Sequence, residues 1–465
     1  MTTIRSWRRR KGSRPLAGMV LMLGVVTVSS AAVAVSTAAG GTGVSAATQQ
    51  ASPIGPVRRI SIDCSATSAE VEQASDQALD QVYELWMGCG RSRSMAFARS
   101  TNGGATFSKP LLLPDSTAST WDPAIAVSAN GVVYASFMTE KDSRMFPVVE
   151  ASFDHGASFS QVKELSGVPV GNWGDRDFIA AGPGHTLYLT WDYGPSASDM
   201  RYLCSPVGSC SFAAGDVNIV VQKSTDGGRR WGRIVHVSPG FPASGADSGP
   251  VLVEPDGRVD VLYQGYEVTN KKTFTLARGH EYFTSSVDGG AKWSKPVRVG
   301  PASLDESVKS WWIDGSLGLD AGGSLYATFD AGQGDADVGF LCYSTDHGRT
   351  WSRPVRVTPD SDQAVHIVQV AGGPAGQAVI GWLADGPQHG YAMDVRAFSV
   401  KAGWLGPALR VSSALGRSSV WPGDTFGLGE LPAGPHRQRV VASWGSATGA
   451  SNRDDIFAAA LGPLA

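Results

Sequence analysis

The stretch Ser344-Thr-Asp-His-Gly-Arg-Thr-Trp351 has the form Ser-x-Asp-x-Gly-x-x-aromatic, and this form recurs along the chain. Four further copies begin at Ser100, Ser152, Ser224 and Ser286. In such a stretch the Asp or Asn side chain can accept backbone N–H groups of a tight turn, while glycine supplies the positive φ. The aromatic ring can then cover the base of a hairpin. The stretch therefore predicts a hairpin corner that is repeated along the chain.

The acidic or amide side chains of these corners are predicted to be structural, neither catalytic nor metal-binding, because turn amides occupy their oxygens. They are Asn102, Asp154, Asp226, Asp288 and Asp346. A degenerate sixth copy is expected between Ser399 and Trp404.

Two strand-like segments precede each corner. In the second unit they span residues 121–128 and 132–137, separated by a glycine turn. Each unit thus predicts four antiparallel strands, and radial repetition of such sheets leaves few exposed edges. The last unit ends after its third strand at 455–460, so residues 58–62 are predicted to supply its outer strand and close the ring. The sequence predicts an all-β fold, a single β-propeller of four-stranded blades; seven blades are favoured, with six as the alternative because the first unit is weak.

The five corners and their companion strands resemble those of the sialidase superfamily, also called BNR-repeat or Asp-box proteins, over residues 58–461. The resemblance implies a propeller that acts on carbohydrate. Sialidases bind the sugar carboxylate with three arginines and use a Tyr–Glu pair and an Asp, an exception among glycosidases. Many place the first arginine in a Phe-Arg-Ile-Pro segment. The nearest match here, Val57-Arg-Arg-Ile-Ser61, lacks the proline and falls on the predicted closing strand.

The first 46 residues are predicted to be an export signal, and residues 47–465 the propeller. Six basic residues between Arg5 and Arg14 precede an apolar run at 16–35 and then small residues up to Ala46. An uncleaved membrane anchor is the alternative. Removing the leader changes the net charge from −3 to −9. The mature chain is thus expected to be secreted and monomeric, with no membrane association and no affinity for nucleic acid.

The five cysteines suit an exported protein. Cys204 and Cys210 flank a short loop and are predicted to pair, as are Cys64 and Cys89. Cys342 lies in an apolar run and is expected to be a buried thiol. No cysteine or histidine spacing indicates a zinc site, so no metal or cofactor is predicted, with a structural Ca²⁺ left open.

Polar residues recur where the inner strands begin, and the mouth of the central channel is where a propeller is expected to bind its ligand. They are Asp122, Arg176, Asp177, Asp247, Asp314, His366 and Asp424. Arg176, Asp177 and Asp314 are candidate catalytic residues, and Asp122, Asp247 and Asp424 are candidate substrate-binding residues. The alternative is that these side chains cap turns and pair with neighbouring blades.

A second candidate cluster lies in the connection between the second and third strands of one blade. Tyr266 and Glu267 are a candidate nucleophile and base, with Tyr282 and Glu281 as alternatives, and Arg278 is a candidate substrate-binding residue. Trp311 and Trp312 are candidates for stacking on a sugar or for packing between blades. Two functions follow: an exo-glycosidase at the channel mouth, or a non-catalytic propeller that binds glycan or protein. If the protein is an enzyme, we expect at least two arginines facing a Tyr–Glu pair. If it is a binding module, we expect aromatic and acidic residues there without an arginine cluster.

Overall fold

The computed structural model describes most of the chain beyond the leader. The described residues are 54–464, apart from 77, 91–92, 118–119, 163, 205–209, 238–245, 248, 271–274, 302–314, 334–335, 359–364, 386–390, 413–421, 432–435 and 448–452. Among these residues, no helix is long and apolar enough to span a membrane.

Thirty-one strands occur in the described residues, and the first half of them builds the closing strand, three blades and a small hairpin. They are β1 (Arg58–Arg59), β2 (Ala69–Ser75), β3 (Val82–Met87), β4 (Met95–Ser100), β5 (Leu111–Leu112), β6 (Thr120–Val127), β7 (Val133–Lys141), β8 (Arg144–Ser152), β9 (Ser160–Gln161), β10 (Trp173–Ala181), β11 (Leu187–Gly194), β12 (Arg201–Cys204), β13 (Cys210–Ala214), β14 (Asn218–Ser224) and β15 (Val235–His236). One 3₁₀ turn occurs in the described part of the chain, at Ala197–Asp199.

The remaining strands build four further blades. They are β16 (Ala246–Asp247), β17 (Val251–Val253), β18 (Val259–Asn270), β19 (Thr275–Ser286), β20 (Val297–Arg298), β21 (Ser316–Leu319), β22 (Leu325–Gln333), β23 (Ala336–Ser344), β24 (Val355–Arg356), β25 (Val365–Gly372), β26 (Gln377–Asp385), β27 (Tyr391–Ser399), β28 (Gly403–Ser412), β29 (Gly427–Glu430), β30 (Val440–Ala447) and β31 (Asp454–Leu461).

The sheets form a ring of seven four-stranded blades, which confirms the favoured prediction. Blades 1 and 2 are β2–β5 and β6–β9, and blade 3 is β10, β11, β14 and β15. Blades 5 and 6 are β21–β24 and β25–β28; in blade 4 both β16 and β17 pair with β18. Each inner strand contacts the inner strands of its two neighbours, and β2 contacts β29 to complete the ring. The weak first unit is therefore a complete blade.

Blade 7 is closed by the N-terminal strand, as predicted from the incomplete last unit of the sequence. It consists of β29, β30 and β31, and β1 pairs antiparallel with β31 through Arg58↔Ala458 and Arg59↔Phe457. Beyond β1, the buried Ser61 hydroxyl donates a 2.8 Å hydrogen bond to Asp455 Oδ1. This clasp joins the two ends of the propeller chain and leaves no edge between them.

Each second strand buries at least one aromatic side chain in the packing between blades. One from each strand, in blade order, is Trp86, Phe137, Trp191, Tyr263, Phe329, Trp382 and Trp444, all at most 3% exposed. Trp191, for example, belongs to a core cluster that includes Phe137 and Val149 of blade 2. The ring is thus held by large apolar contacts that repeat from blade to blade.

The repeated corners have the geometry expected of a structural turn. In blade 5, Ser344 Oγ accepts the Gly348 N–H at 2.9 Å and donates to Asp346 Oδ1 at 2.8 Å. Asp346 Oδ1 also accepts the Thr350 N–H at 2.9 Å. The other four corners repeat these bonds. The acidic oxygens are engaged within their own turns, on the face where each third strand ends.

The residue that follows the corner Asp or Asn is Gly in three corners and His in the other two. Both histidines approach a carboxyl group of the preceding blade. His347 Nδ1 lies 2.7 Å from Oε2 of the buried Glu254, whereas His155 Nδ1 lies 3.9 Å from Asp76 Oδ2. Both residues adopt positive φ, 59° and 55°. The backbone strain at the two corners is therefore the same, and the strength of the inter-blade contact differs.

We expect His347→Ala to lower the free energy of unfolding by about 1–3 kcal/mol, because it removes the hydrogen bond to Oε2 of the buried Glu254. His155→Ala is the matched control, with the same φ and a longer contact, and we expect a smaller loss. Urea unfolding of both variants measures the difference. Equal losses would show that the Glu254 contact contributes nothing.

A buried carboxyl between blades 1 and 7 makes stability depend on pH. Glu84 accepts hydrogen bonds from the Ser443 hydroxyl at 2.6 Å and the Gln73 amide at 2.8 Å. Burial nevertheless raises the pKa of Glu84 from 4.5 to about 8. Between pH 4.5 and about 8, Glu84 therefore keeps its proton in the folded chain and loses it in the unfolded chain.

Because this pKa is raised on folding, the stabilisation is complete below pH 4.5 and is lost as the pH rises to 8. We expect about 1.4 kcal/mol of lost stability per pH unit within that window. Glu84→Gln should flatten the slope. Urea unfolding at pH 5 and pH 8 checks this, and an unchanged slope in the variant would contradict it.

Candidate functional site

Three consecutive inner strands begin with the same irregularity. β2, β6 and β10 each contain a β-bulge near the start. The bulged residues Glu70, Asp122 and Arg176 have positive φ of 54°, 50° and 33°. This conformation costs roughly 1–2 kcal/mol for a residue other than glycine, and a bulge redirects its side chain. The repeated strain brings three charged side chains to one end of the central channel, here called the mouth.

Hydrogen bonds link these three residues from blade to blade. The Asp122 N–H donates to Glu70 Oε2 at 3.2 Å, and the Arg176 N–H donates to Asp122 Oδ2 at 2.9 Å. Arg176 Nη1 also lies 3.6 Å from Asp122 Oδ1. On the other side, the Glu70 N–H donates to the Pro422 carbonyl at 3.1 Å, just before β29. The chain of bonds therefore spans blades 7, 1, 2 and 3.

Burial raises the pKa of two carboxyls of this site. The pKa of Glu70 is raised well above its ordinary value, first by burial and then by the neighbouring charge of Asp122, against the lowering effect of Arg176. A hydrogen bond between the Glu70 and Asp122 carboxyls raises it further. Asp177, the next residue of β10, has its pKa raised by burial, although the Ser136 hydroxyl opposes this. Glu70, Asp122, Arg176 and Asp177, named here the mouth cluster, thus combine a proton-holding carboxyl with an ion pair.

The mouth cluster is edged by half-buried aromatic groups. The Trp121 indole N–H donates to Asp175 Oδ1 at 2.6 Å, which ties blade 2 to blade 3 beside the bulges. The Arg176 guanidinium carbon lies 5.5 Å from the centre of the Phe178 ring. Aromatic faces beside a buried charge are typical of surfaces that bind sugars.

The structure brings together part of the predicted ring of polar residues. Asp122, Arg176 and Asp177 are in contact, and Asp424 is close enough to raise the pKa of Glu70. Asp247 lies on β16, and its side chain is outside the described residues, as is that of His366 on β25. Asp314, Trp311 and Trp312 also lie outside the described residues. Their roles stay predictions.

The predicted location of the second cluster is wrong. Tyr266 and Glu267 lie within β18, and Arg278 within β19, so the supposed connection is a hairpin of two 12-residue strands. The hydrogen-bonded register simply continues beyond the usual blade length, with a bulge between Tyr266 and Glu267. The side chains of these three residues lie outside the described ones, and their catalytic roles remain predictions.

Tyr282 and Glu281, the alternative members of that cluster, both lie on β19 of blade 4. Tyr282 pairs across the strands with Tyr263 and stacks on it, with ring centres 5.8 Å apart, in a hydrophobic core. Glu281 is buried, and its Oε1 would lie 2.7 Å from a Cβ built on Gly315. Tyr282 therefore packs between strands, whereas Glu281 points to the start of blade 5.

Sequence reasoning missed Glu70, Trp121 and Asp175. The first unit is weak in sequence, and Glu70, the second residue of β2, is absent from the polar residues expected at the beginnings of the inner strands. The bulges themselves carry no sequence signature, because non-glycine residues occupy them.

The cysteines lie in three places: before β2 and after β3, in the β12–β13 hairpin, and in β23. Cys64 and Cys89 form a disulfide. Cys204 and Cys210 are directly opposite in the β12–β13 register, and their side chains lie outside the described residues. Cys342 is a free and buried thiol.

The fold and its corners define the class: this is a seven-bladed Asp-box β-propeller. The family model of the BNR/Asp-box repeat matches residues 343–353, the corner of blade 5. No curated protein matches the sequence.

Solved structures of the same fold include carbohydrate-active proteins. A polysaccharide lyase, an ulvan lyase bound to a GlcA(1-4)Rha3S unit, has 13% identity and a TM-score of 0.53, covering 86% of this chain and 95% of its own. An α-L-arabinofuranosidase from Fusarium graminearum has 12% identity and a TM-score of 0.51, covering 76% and 99%. A Hadza microbial sialidase has 12% identity and a TM-score of 0.47, covering 87% and 95%. At these identities the likeness is one of fold.

Proposed function

We propose that this protein is an exported, sialidase-like carbohydrate-active enzyme, an exo-glycosidase that acts on glycans at the mouth of its propeller. The observation that carries the proposal is the mouth cluster. The buried carboxyl of Glu70, whose pKa is raised, is hydrogen-bonded to a second carboxyl, Asp122, which is paired with Arg176. A buried carboxyl of raised pKa in contact with a second carboxyl is a common basis of acid–base catalysis.

Within this pair, Asp122 is the candidate catalytic residue, because it is 8% exposed whereas Glu70 is 1% exposed. Cleavage of a glycosidic bond needs a group that delivers a proton to the leaving oxygen. The proton shared with Glu70 can pass to Asp122 and on to that oxygen. Glu70 is then a positioning residue that holds the Asp122 backbone, and Arg176 stabilises the carboxylate that remains.

The comparisons support a glycan as the ligand. The arabinofuranosidase and the ulvan lyase share the fold, and both act on carbohydrate. The predicted leader supports export from the cell, and polysaccharides are found outside cells. The substrate class proposed is an extracellular poly- or oligosaccharide, and no cofactor is assigned a role.

One observation favours a second function, non-catalytic glycan binding. Among the described residues of the mouth cluster, Arg176 is the single arginine, and its partner Asp122 occupies it. An enzyme that followed the sialidase pattern would place several arginines there. The mouth would then hold a sugar by its aromatic and acidic groups alone.

One experiment separates the two functions. The mature chain, residues 47–465, is incubated at pH 4 to 8 with a fluorogenic sialoside, with arabinofuranosides and with acidic and neutral polysaccharides. Release of fluorophore or of new reducing ends supports the enzyme. Binding measured by calorimetry without release supports the second function, and neither binding nor release would reject both.

A further inference from the structure

A groove on the face opposite the mouth has the composition of a binding site. It lies between blades 2 and 3, beside the corners of both, and encloses a cavity of about 560 Å³. Its walls include Phe153, Gln161, His185 and Arg229, all of them exposed, over the buried ring of Tyr134. This volume is within the range of small-ligand sites.

Phe153 is an unusual residue for its position. It is 66% exposed and follows the corner serine Ser152, a place taken in the other corners by Thr101, Thr225, Val287 and Thr345. The turn needs no aromatic there, because its bonds come from Ser152 and Asp154. An exposed ring beside a cavity offers a flat apolar surface on which the face of a sugar can stack.

Arg229 provides the charge in the groove. Among the described residues it forms no ion pair, whereas the adjacent Arg230 is held 2.8 Å from Asp226 Oδ2. Arg229 is close enough to Tyr134 for its positive charge to act on that phenol. A guanidinium that is exposed and not engaged by a carboxylate suits an anionic group, which it can bind through two parallel hydrogen bonds.

We infer that this groove is an auxiliary binding site for an acidic glycan. The sugar ring stacks on Phe153, its carboxylate or sulfate binds Arg229, and its hydroxyls meet Gln161 and His185. The first and third strands of a blade end on this face, so a blade length of about 25 Å separates the groove from the mouth. The site therefore binds glycan whether or not the mouth is catalytic.

Calorimetry of the mature chain with a glucuronate-containing hexasaccharide of hyaluronan tests the inference, with neutral cellohexaose for comparison. Phe153→Ala and Arg229→Ala should each weaken binding of the acidic hexasaccharide about tenfold or more. The matched controls are Val287→Ala and Arg349→Ala, which change the same corner positions in blades 4 and 5. Both controls should bind as the unchanged protein does.

Three outcomes would overturn the inference. They are no binding of the acidic hexasaccharide at millimolar concentration, equal binding by all variants, and equal affinity for cellohexaose. Trp121→Ala, which removes an aromatic face at the edge of the mouth, distinguishes the groove from the mouth. It should leave this affinity unchanged, and loss of all binding in that variant would assign the glycan to the mouth instead.

Discussion

Asp122→Asn is expected to lower kcat/KM by about 100-fold or more on any glycan that the mature chain cleaves. An amide can neither take up nor release the proton that the Glu70–Asp122 pair holds. Its oxygen can still accept the Arg176 N–H, which Asp122 Oδ2 now accepts at 2.9 Å, so the bulge of β10 should be preserved. The loss should therefore appear in kcat with little change in KM.

The pH profile provides a second measure of the same change. The charge of Asp122 helps to raise the pKa of Glu70, so its neutralisation should lower that pKa and shift the alkaline limb of any residual activity to lower pH. Steady-state kinetics between pH 4 and 9 measure both effects. The matched control is Asp226→Asn in the corner of blade 3, because blade 1 already carries Asn102 at that place. Full activity in a folded Asp122→Asn variant would remove the mouth cluster from the mechanism.

Trp191→Ala is expected to lower the free energy of unfolding by about 3–5 kcal/mol. The side chain is fully buried in the core that joins blades 2 and 3, and its removal leaves a cavity that rigid sheets cannot close. Trp191→Phe is the matched control, because Phe137 and Phe329 fill the same role in their own blades. We expect less than half the loss for the phenylalanine variant.

Urea unfolding of both variants, followed by tryptophan fluorescence, measures these losses. If the phenylalanine variant is as unstable as the alanine variant, the aromatic ring of the second strands is not the element that holds the blades together. If neither variant is destabilised, the core between blades 2 and 3 contributes less than its burial implies.

Much of the fold could be predicted because its deciding interactions are local. The bonds of a corner, such as those from Ser344 to Gly348 and from Asp346 to Thr350, join residues four apart. Any chain with these side chains at these spacings can form the turn, whatever surrounds it. The corners marked the blades, and the incomplete last unit required a strand from elsewhere, which β1 provides.

The candidate site was only partly predictable, because its contacts join residues that are distant in sequence. Glu70 and Asp122 are 52 positions apart, and Asp122 and Arg176 are 54. The bulges that turn these side chains together arise from the pairing of inner and second strands, so no short pattern marks them. The inter-blade contact of His347 with Glu254 joins residues 93 positions apart, and it could not be predicted from the sequence either.

The sequence by itself determined the repeated unit and the structural role of the corner acids, and it favoured seven blades over six. Turn hydrogen bonds and the alternation of buried side chains involve residues only a few positions apart. These features can therefore be predicted from a single sequence. The tertiary structure alone decided which charged groups meet at the mouth and which of them hold protons. Burial and neighbouring charge set a carboxyl's pKa, and both exist only after the seven blades have packed around the channel.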